Sequence, residues 1–317
     1  MDDFRVYSPE DIIAANLREA VGRYDRFCEQ EIAHLRELAI ELAGENSLQD
    51  LLTLLPDYRP PTFENGKDVI VENADILKHS HKLLYARQRI VLCTELYREL
   101  SKRAPLPSTL LFSDFEEVSP AAYHRIAYQR SIYADAAYLR FSPLLTDARA
   151  AYAHSFHAAC EDVYNGHYEF CILPIENAVE GQLISFSRLI ARYDLKIAAS
   201  CDVAGADSSR NTRFALLHRN MLPTLEAKDA ECGFFRFSIP HDASTELSDL
   251  LMAASFCGLR LHSVNTLPPS DAESGVSLQI SLYTDKGLLQ PFLLFLAMEV
   301  PHYTPIGMYP HLSQKGN

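Results

Sequence analysis

Residues 168–181 read Tyr-Glu-Phe-Cys-Ile-Leu-Pro-Ile-Glu-Asn-Ala-Val-Glu-Gly. The apolar run from Tyr168 to Leu173 has the length and composition of a buried strand, and Pro174 marks where it gives way to polar residues. Before it, Ser155 is placed to cap a helix that runs to about Tyr164, where Asn165-Gly166 stops it. After it, Leu183, Phe186, Leu189, Ile190 and Tyr193 share one helical face. Leu195–Ser200 and Arg213–His218 then read as strands, as do residues 125–128 upstream, followed by a helix over 133–141. Strands alternating with helices predict a largely parallel sheet with helices laid over it.

From Gly233 onward the rhythm is β-α-β-β-α-β. Its strands are Phe234–Ile239, Leu259–Thr266, the alternating run at Val276, Leu278, Ile280 and Leu282, and a final one near Ile306–Pro310. Asp242 or Ser244 is placed to cap the first helix, which Gly258 ends; the second runs from Lys286 to about Val300.

Residues 1 to about 104 are helical in pattern. Ser8-Pro9-Glu10-Asp11 opens a long helix whose apolar residues recur through Leu17, Val21, Leu35, Leu38 and Leu42. Gly44–Ser47 stops it, a short helix precedes Pro56, and a second long helix spans about 68–102. The predicted organisation is an all-α unit (1–104), a linker (105–123), an α/β lobe (124–222) and a ferredoxin-like α+β unit (230–313).

The formal charge of −13 excludes the basic surface of a nucleic-acid binder, while leaving room for a small anion held in one cleft. No apolar stretch is long enough to span a bilayer: 288–300 is interrupted by Pro291. The seven cysteines show no paired ligand spacing, which fits reduced core thiols in a cytoplasmic protein. His154, His157 and Glu161 have a spacing that could serve a metal on one helix, but no fourth ligand accompanies them, and no metal site is expected.

Two short motifs carry the chemistry: Pro174-Ile175-Glu176-Asn177, continuing to Gly181, and Asn211-Thr212-Arg213-Phe214. With the final Ile306-Gly-Met-Tyr-Pro310, and in this order of elements, they resemble the prephenate dehydratase family with its C-terminal ACT domain. The resemblance covers about 124–311. It implies conversion of prephenate to phenylpyruvate with loss of carbon dioxide and water, in phenylalanine biosynthesis and without a cofactor. It further implies that Thr212 donates to the departing hydroxyl, that Glu176 and Asn177 orient the site, and that Arg213 and Asn211 bind substrate carboxylate. The residues alone also allow Asn177 and Thr212 to cap turns and Arg213 to lie on the surface.

The N-terminal helices extend the resemblance to bifunctional chorismate mutase–prephenate dehydratases, in which Arg18 and Arg36 are the candidate dicarboxylate clamps; charged residues on a solvated helix face are the alternative. Three features depart from the family. The turn after Tyr128, Gln129–Asp135, lacks glycine; the link between the motifs leaves no room for a second lobe; and only Pro268 survives of the phenylalanine-binding motif, at Asn265–Pro268. A second reading follows from the missing lobe: a non-catalytic dimeric sensor or regulatory subunit. In either case the expected ligand is a small anionic aromatic-pathway metabolite or an aromatic amino acid, and the expected assembly a homodimer.

Overall fold

The computed structural model describes residues 9–45, 50–51, 74–103, 123–205, 211–222, 230–240, 247–268, 275–284, 288–300 and 302–312. The caps expected at Ser8, Asp242 and Ser244 and the linker after Pro105 lie outside these residues. The chain divides into two compact units, Met1–Pro105 and Leu106–Asn317.

In the first unit, helix α1 (Pro9–Glu45) packs on α2 (Ala74–Arg103). Gln88 bonds Glu31 and Arg36 bonds Glu95, so the partners advance together along both helices, which therefore run parallel. Leu35, Ala39 and Ala43 are buried on α1, as are Ile90, Leu92 and Leu96 on α2.

The second unit is mixed α/β. Its elements are β1 (His124–Gln129), α3 (Ile132–Phe141), β2 (Ala148–Ala153), α4 (Phe156–Tyr164), β3 (Phe170–Asn177), β4 (Gly181–Gln182), α5 (Ile184–Arg192), β5 (Lys196–Val203) and β6 (Thr212–His218). There follow β7 (Ala230–Pro240), α6 (Leu247–Phe256), β8 (Arg260–Leu267), β9 (Ser277–Tyr283), α7 (Leu289–Glu299) and β10 (Thr304–Leu312). The expected Ser155 cap is present, with Ala158 N–H donating to Ser155 Oγ at 3.1 Å. Ser131 caps α3 in the same way, accepting from Ala134 N–H at 3.1 Å, a cap not expected from the sequence. Ser155→Ala is expected to cost about 1 kcal/mol, read as a lower urea midpoint with an unchanged slope; an unshifted midpoint would show that the cap contributes nothing.

The strands form one ten-stranded sheet in the order β2-β1-β3-β6-β5-β10-β7-β9-β8, with β4 paired to β3. The sheet is mixed, which corrects the expectation of a parallel one. β1 runs parallel to β2 and β3, but β6 is antiparallel to both β3 and β5. Only eight residues, 204–211, separate β5 from β6, and a parallel return needs a crossover of roughly a dozen or more. β2 had no sequence signal, because its Ala-Arg-Ala-Ala-Tyr-Ala run carries little strand propensity.

The last four strands run β10-β7-β9-β8, all antiparallel, and β10 also pairs parallel with β5, so the sheet is continuous. Three strands separate β3 from β7 in that order, yet Glu176 of β3 bonds Arg236 of β7, and Gln182 of β4 bonds Gln279 of β9. The sheet therefore curls until its two halves face each other. One apolar cluster, including Ile126, Tyr128, Phe141 and Phe214, lies under α3. The other, including Cys171, Leu173, Ile190 and Phe234, lies on the opposite face under α4 and α5.

Candidate functional site

The path from β1 through α3 leads to β2 on one side, and the path from β2 through α4 returns past β1 to β3 on the other. Strand order thus reverses between β1 and β3, and ligands of open α/β sheets bind at the carboxyl ends of strands at such a point. Gln129 ends β1 there and Asn177 ends β3. The N-termini of α3 and α4 follow the carboxyl ends of β1 and β2 directly, so both positive helix ends lie at this end of the sheet.

The two sequence motifs meet at this end. Asn177 pairs with Thr212, and Glu176 with Arg213, across the β3–β6 ladder. Asn177 Oδ1 accepts from Val179 N–H at 2.9 Å and Glu180 N–H at 2.6 Å, closing the turn back to β4. Gly181 finishes that turn at φ 70°, where a Cβ would be strained. Ala178 N–H donates to the Asn211 carbonyl at 3.1 Å, tying the turn to the start of β6. Thr212 lies two residues before Phe214, whose ring is in the cluster under α3, so Thr212 shares that face.

The glycine-free turn after Tyr128 is occupied by the Ser131 cap. Tyr128 Oη donates to Asp135 Oδ1 at 2.9 Å, and burial with the Asp135 carboxylate beside it pushes this phenol well above its ordinary range.

Arg213 faces the other way, into the curl. Its Nε donates to Asp202 Oδ1 at 2.9 Å, Nη2 to Asp202 Oδ2 at 3.4 Å, and Nη1 to Glu176 Oε2 at 3.0 Å, while Nη1 also meets His262 Nε2 at 3.2 Å. Four donor contacts are engaged out of the five N–H groups a guanidinium carries. Glu176 spans Arg213 and Arg236 with its two oxygens. Asp202 also approaches His311 Nε2 at 3.5 Å, and His311 Nδ1 meets Ser200 Oγ at 2.9 Å.

Burial alone would raise the Glu176 carboxyl, but the Arg236 and Arg213 guanidiniums bonded to it more than offset this and hold it at about 2. Burial likewise opposes the Asp202 charge, and His311 and Arg213 outweigh it, leaving Asp202 well below the ordinary carboxylate range. Arg213 is pushed above its ordinary value: burial lowers it, but Asp202 and Glu176 prevail. The carboxylates and guanidiniums of the cluster are ionised, and their pairing clamps the ends of β3, β5 and β6 together.

Asp202, Arg236, His262 and His311 were missed in the sequence. The signal available was a charged residue inside an apolar strand, such as Arg236 between Phe235 and Phe237. Arg18 and Arg36 belong to the other unit. Both are exposed, and they lie 18 residues apart on α1, roughly 27 Å along the helix. They are not brought together within the chain, and Arg36 pairs with Glu95 at 3.1 Å. His154 precedes α4, and His157 meets Tyr193 Oη at 2.9 Å. Among the described residues no group of His, Cys, Asp or Glu is arranged to hold a metal, and no helix is long and apolar enough to cross a membrane.

A cleft of about 520 Å³ opens at the opposite end of the curled sheet, lined by residues that include Asp194, Lys196 and Gln279. Lys196 Nζ already donates to Asp194 at 2.6 Å, so this ion pair is closed on itself. No residue of the motifs at 174–181 and 211–214 lines the cleft, which Ile306 and Leu267 do line. The reversal of strand order and the convergence of both motifs therefore place the candidate site at the other end.

No protein-family model matches the sequence, and no curated protein matches it. Solved structures do. The X-ray structure of prephenate dehydratase from Streptococcus mutans aligns over 60% of this chain and 100% of that one, with TM-score 0.50 and 19% identity. Prephenate dehydratase from Arthrobacter aurescens, in complex with L-Phe, aligns over 58% of this chain and 89% of that one, with TM-score 0.45 and 13% identity. A protein described as GqqA, a novel type of quorum quenching acylase, aligns over 59% of this chain and 94% of that one, with TM-score 0.45 and 17% identity. The first of these likenesses carries the conclusion: the chain has a prephenate dehydratase-like fold.

Proposed function

We propose that the unit 106–317 is a prephenate dehydratase that binds its dianionic substrate at the carboxyl ends of β1 and β3. The observation that carries this reading is the pairing of Asn177 with Thr212 at the point where strand order reverses. Two capped helix N-termini at the same end favour the substrate carboxylates. In the reaction the carboxylate leaves as carbon dioxide, its bonding electrons enter the ring, and the ring hydroxyl departs at the far carbon. The departing hydroxyl needs a proton, and we assign its donation to the Thr212 hydroxyl, a reading supported by the position of Thr212 opposite Asn177 at the strand end. Arg213 acts from the opposite face, fixing the strand ends through Asp202 and Glu176 and not by holding the substrate itself.

Full-length protein incubated with prephenate is expected to form phenylpyruvate, followed by its absorbance in alkali. Thr212→Ala is expected to lower kcat by roughly a hundredfold, the scale of a lost proton donor, with an unchanged circular dichroism spectrum. Equal turnover by Thr212→Ala would remove Thr212 from the mechanism, and no turnover by the wild-type chain would overturn the proposal.

A further inference from the structure

We infer that His262, a residue of the ferredoxin-like segment, is a positioning residue for the Thr212 end of the sheet, acting as a neutral imidazole with its proton on Nδ1. The inference rests on the placement of the site above. His262 has no partner in the β8–β9 register: Leu261 pairs with Leu282 and Ser263 with Ser281, so His262 is the extra residue of a bulge. A bulge re-aims a side chain out of the regular alternation. Here it turns the ring inward, between Arg213 and Tyr283 and against Phe234.

The contacts decide the proton. Arg213 Nη1 lies 3.2 Å from His262 Nε2, and a guanidinium can only donate. A proton on Nε2, in the other tautomer or in the imidazolium, would set two donors against each other at that distance. Nor would it reach Glu176, whose Oε2 is 4.0 Å from Nε2, beyond hydrogen-bond range. Nε2 is therefore the acceptor, and Nδ1–H donates to Tyr283 Oη at 3.0 Å. The groups around the ring are Arg213, Glu176, Arg236 and Tyr283, with Asp202 behind Arg213. With the imidazole neutral, the two guanidiniums and two carboxylates balance.

The consequence is mechanical. Asp202 and Glu176 hold Arg213 from β5 and β3, the same half of the sheet as Thr212. His262 holds it from β8, the far edge strand. Through Arg213 the imidazole fixes the first residues of β6, and so the approach of the adjacent Thr212.

Nitrogen-15 NMR of the intact chain, labelled at histidine, tests the proton placement, because the tautomer is read from the two ring nitrogens. Near neutral pH the His262 resonances are expected to show a protonated Nδ1 and an unprotonated Nε2. Tyr283→Phe, which keeps the ring packing and removes the Nδ1–H acceptor, is expected to leave Nε2 unprotonated, because Arg213 still faces it. A protonated Nε2 in the wild type overturns the inference.

Hydrogen exchange then tests the positioning role independently of turnover. His262→Ala is expected to speed exchange at the amides of 211–214, and His262→Gln, whose amide oxygen can accept from Arg213, to restore most of the protection. A glutamine variant no better than alanine overturns it. Should the chain turn over prephenate, alanine is expected to lower kcat by roughly tenfold to a hundredfold, with KM little changed and glutamine partly restoring kcat. A correct tautomer and exchange pattern in a chain without turnover would sink the proposed reaction and leave this inference standing.

Discussion

Glu176→Ala is expected to destabilise the second unit by roughly 3–5 kcal/mol, the cost of removing one partner from a buried ion pair. The Arg236 side chain is only 4% exposed, and Glu176 supplies the carboxylate it meets. Arg213 would keep Asp202, but Arg236 would be left as a buried charge without a counter-ion. Glu176→Gln keeps the shape and one acceptor, so a smaller loss is expected.

The same group makes stability depend on acid. Its folded value, about 2, lies below its ordinary 4.5, so the folded state favours the ionised form. The stabilisation is complete above the ordinary value and is lost as pH falls from there toward 2. At neutral pH it is on the order of 3 kcal/mol. Asp202, depressed in the same sense, adds to the loss in this range. In urea unfolding, the gap between wild type and Glu176→Gln is expected to shrink by more than half between pH 7 and pH 3. An equal gap at both pH values would show that the charge contributes nothing.

Gly307→Val is expected to be the next most damaging change, with Gly307→Ala costing on the order of 1–3 kcal/mol. A Cβ at 307 would lie 2.7 Å from the Ile197 carbonyl oxygen and 2.8 Å from both Ile197 Cβ and Tyr309 Cδ1. The first contact is with backbone, which moves only if the strands part. Gly307 sits opposite Ile197 where β10 lies parallel to β5, the joint that makes the sheet continuous. Exchange is expected to rise at 196–201 and 306–312 together. A rise confined to 306–312 would show that β10 shifts alone and the joint holds.

The Gly-x-Tyr-Pro ending that marked the family resemblance thus has a local physical role. Its glycine allows the close strand approach, and its tyrosine, buried beside Phe234, packs the inner face. Asn177 is similar: its side chain closes the turn after β3 while its backbone pairs with Thr212. The turn-capping and site-forming readings of this residue are compatible, since the turn is what places the strand end.

Much was legible from residue order. The helix at 156–164 begins after Ser155 as expected, because a hydroxyl capping free amides is a local event. The β-α-β-β-α-β order of the last segment followed from alternation and turn residues, which also act over a few positions. Both motifs were picked out from the residues alone. What the tertiary structure alone decided was the direction of β6, the pairing of β10 with β5, the curl of the sheet and the ionic hub inside it. Glu176 and Arg236 are 60 residues apart, and Ser200 and His311 are 111 apart. No local periodicity encodes such pairs. They exist because strand order brings distant positions to one inner face, where a buried charge must find its counter-ion.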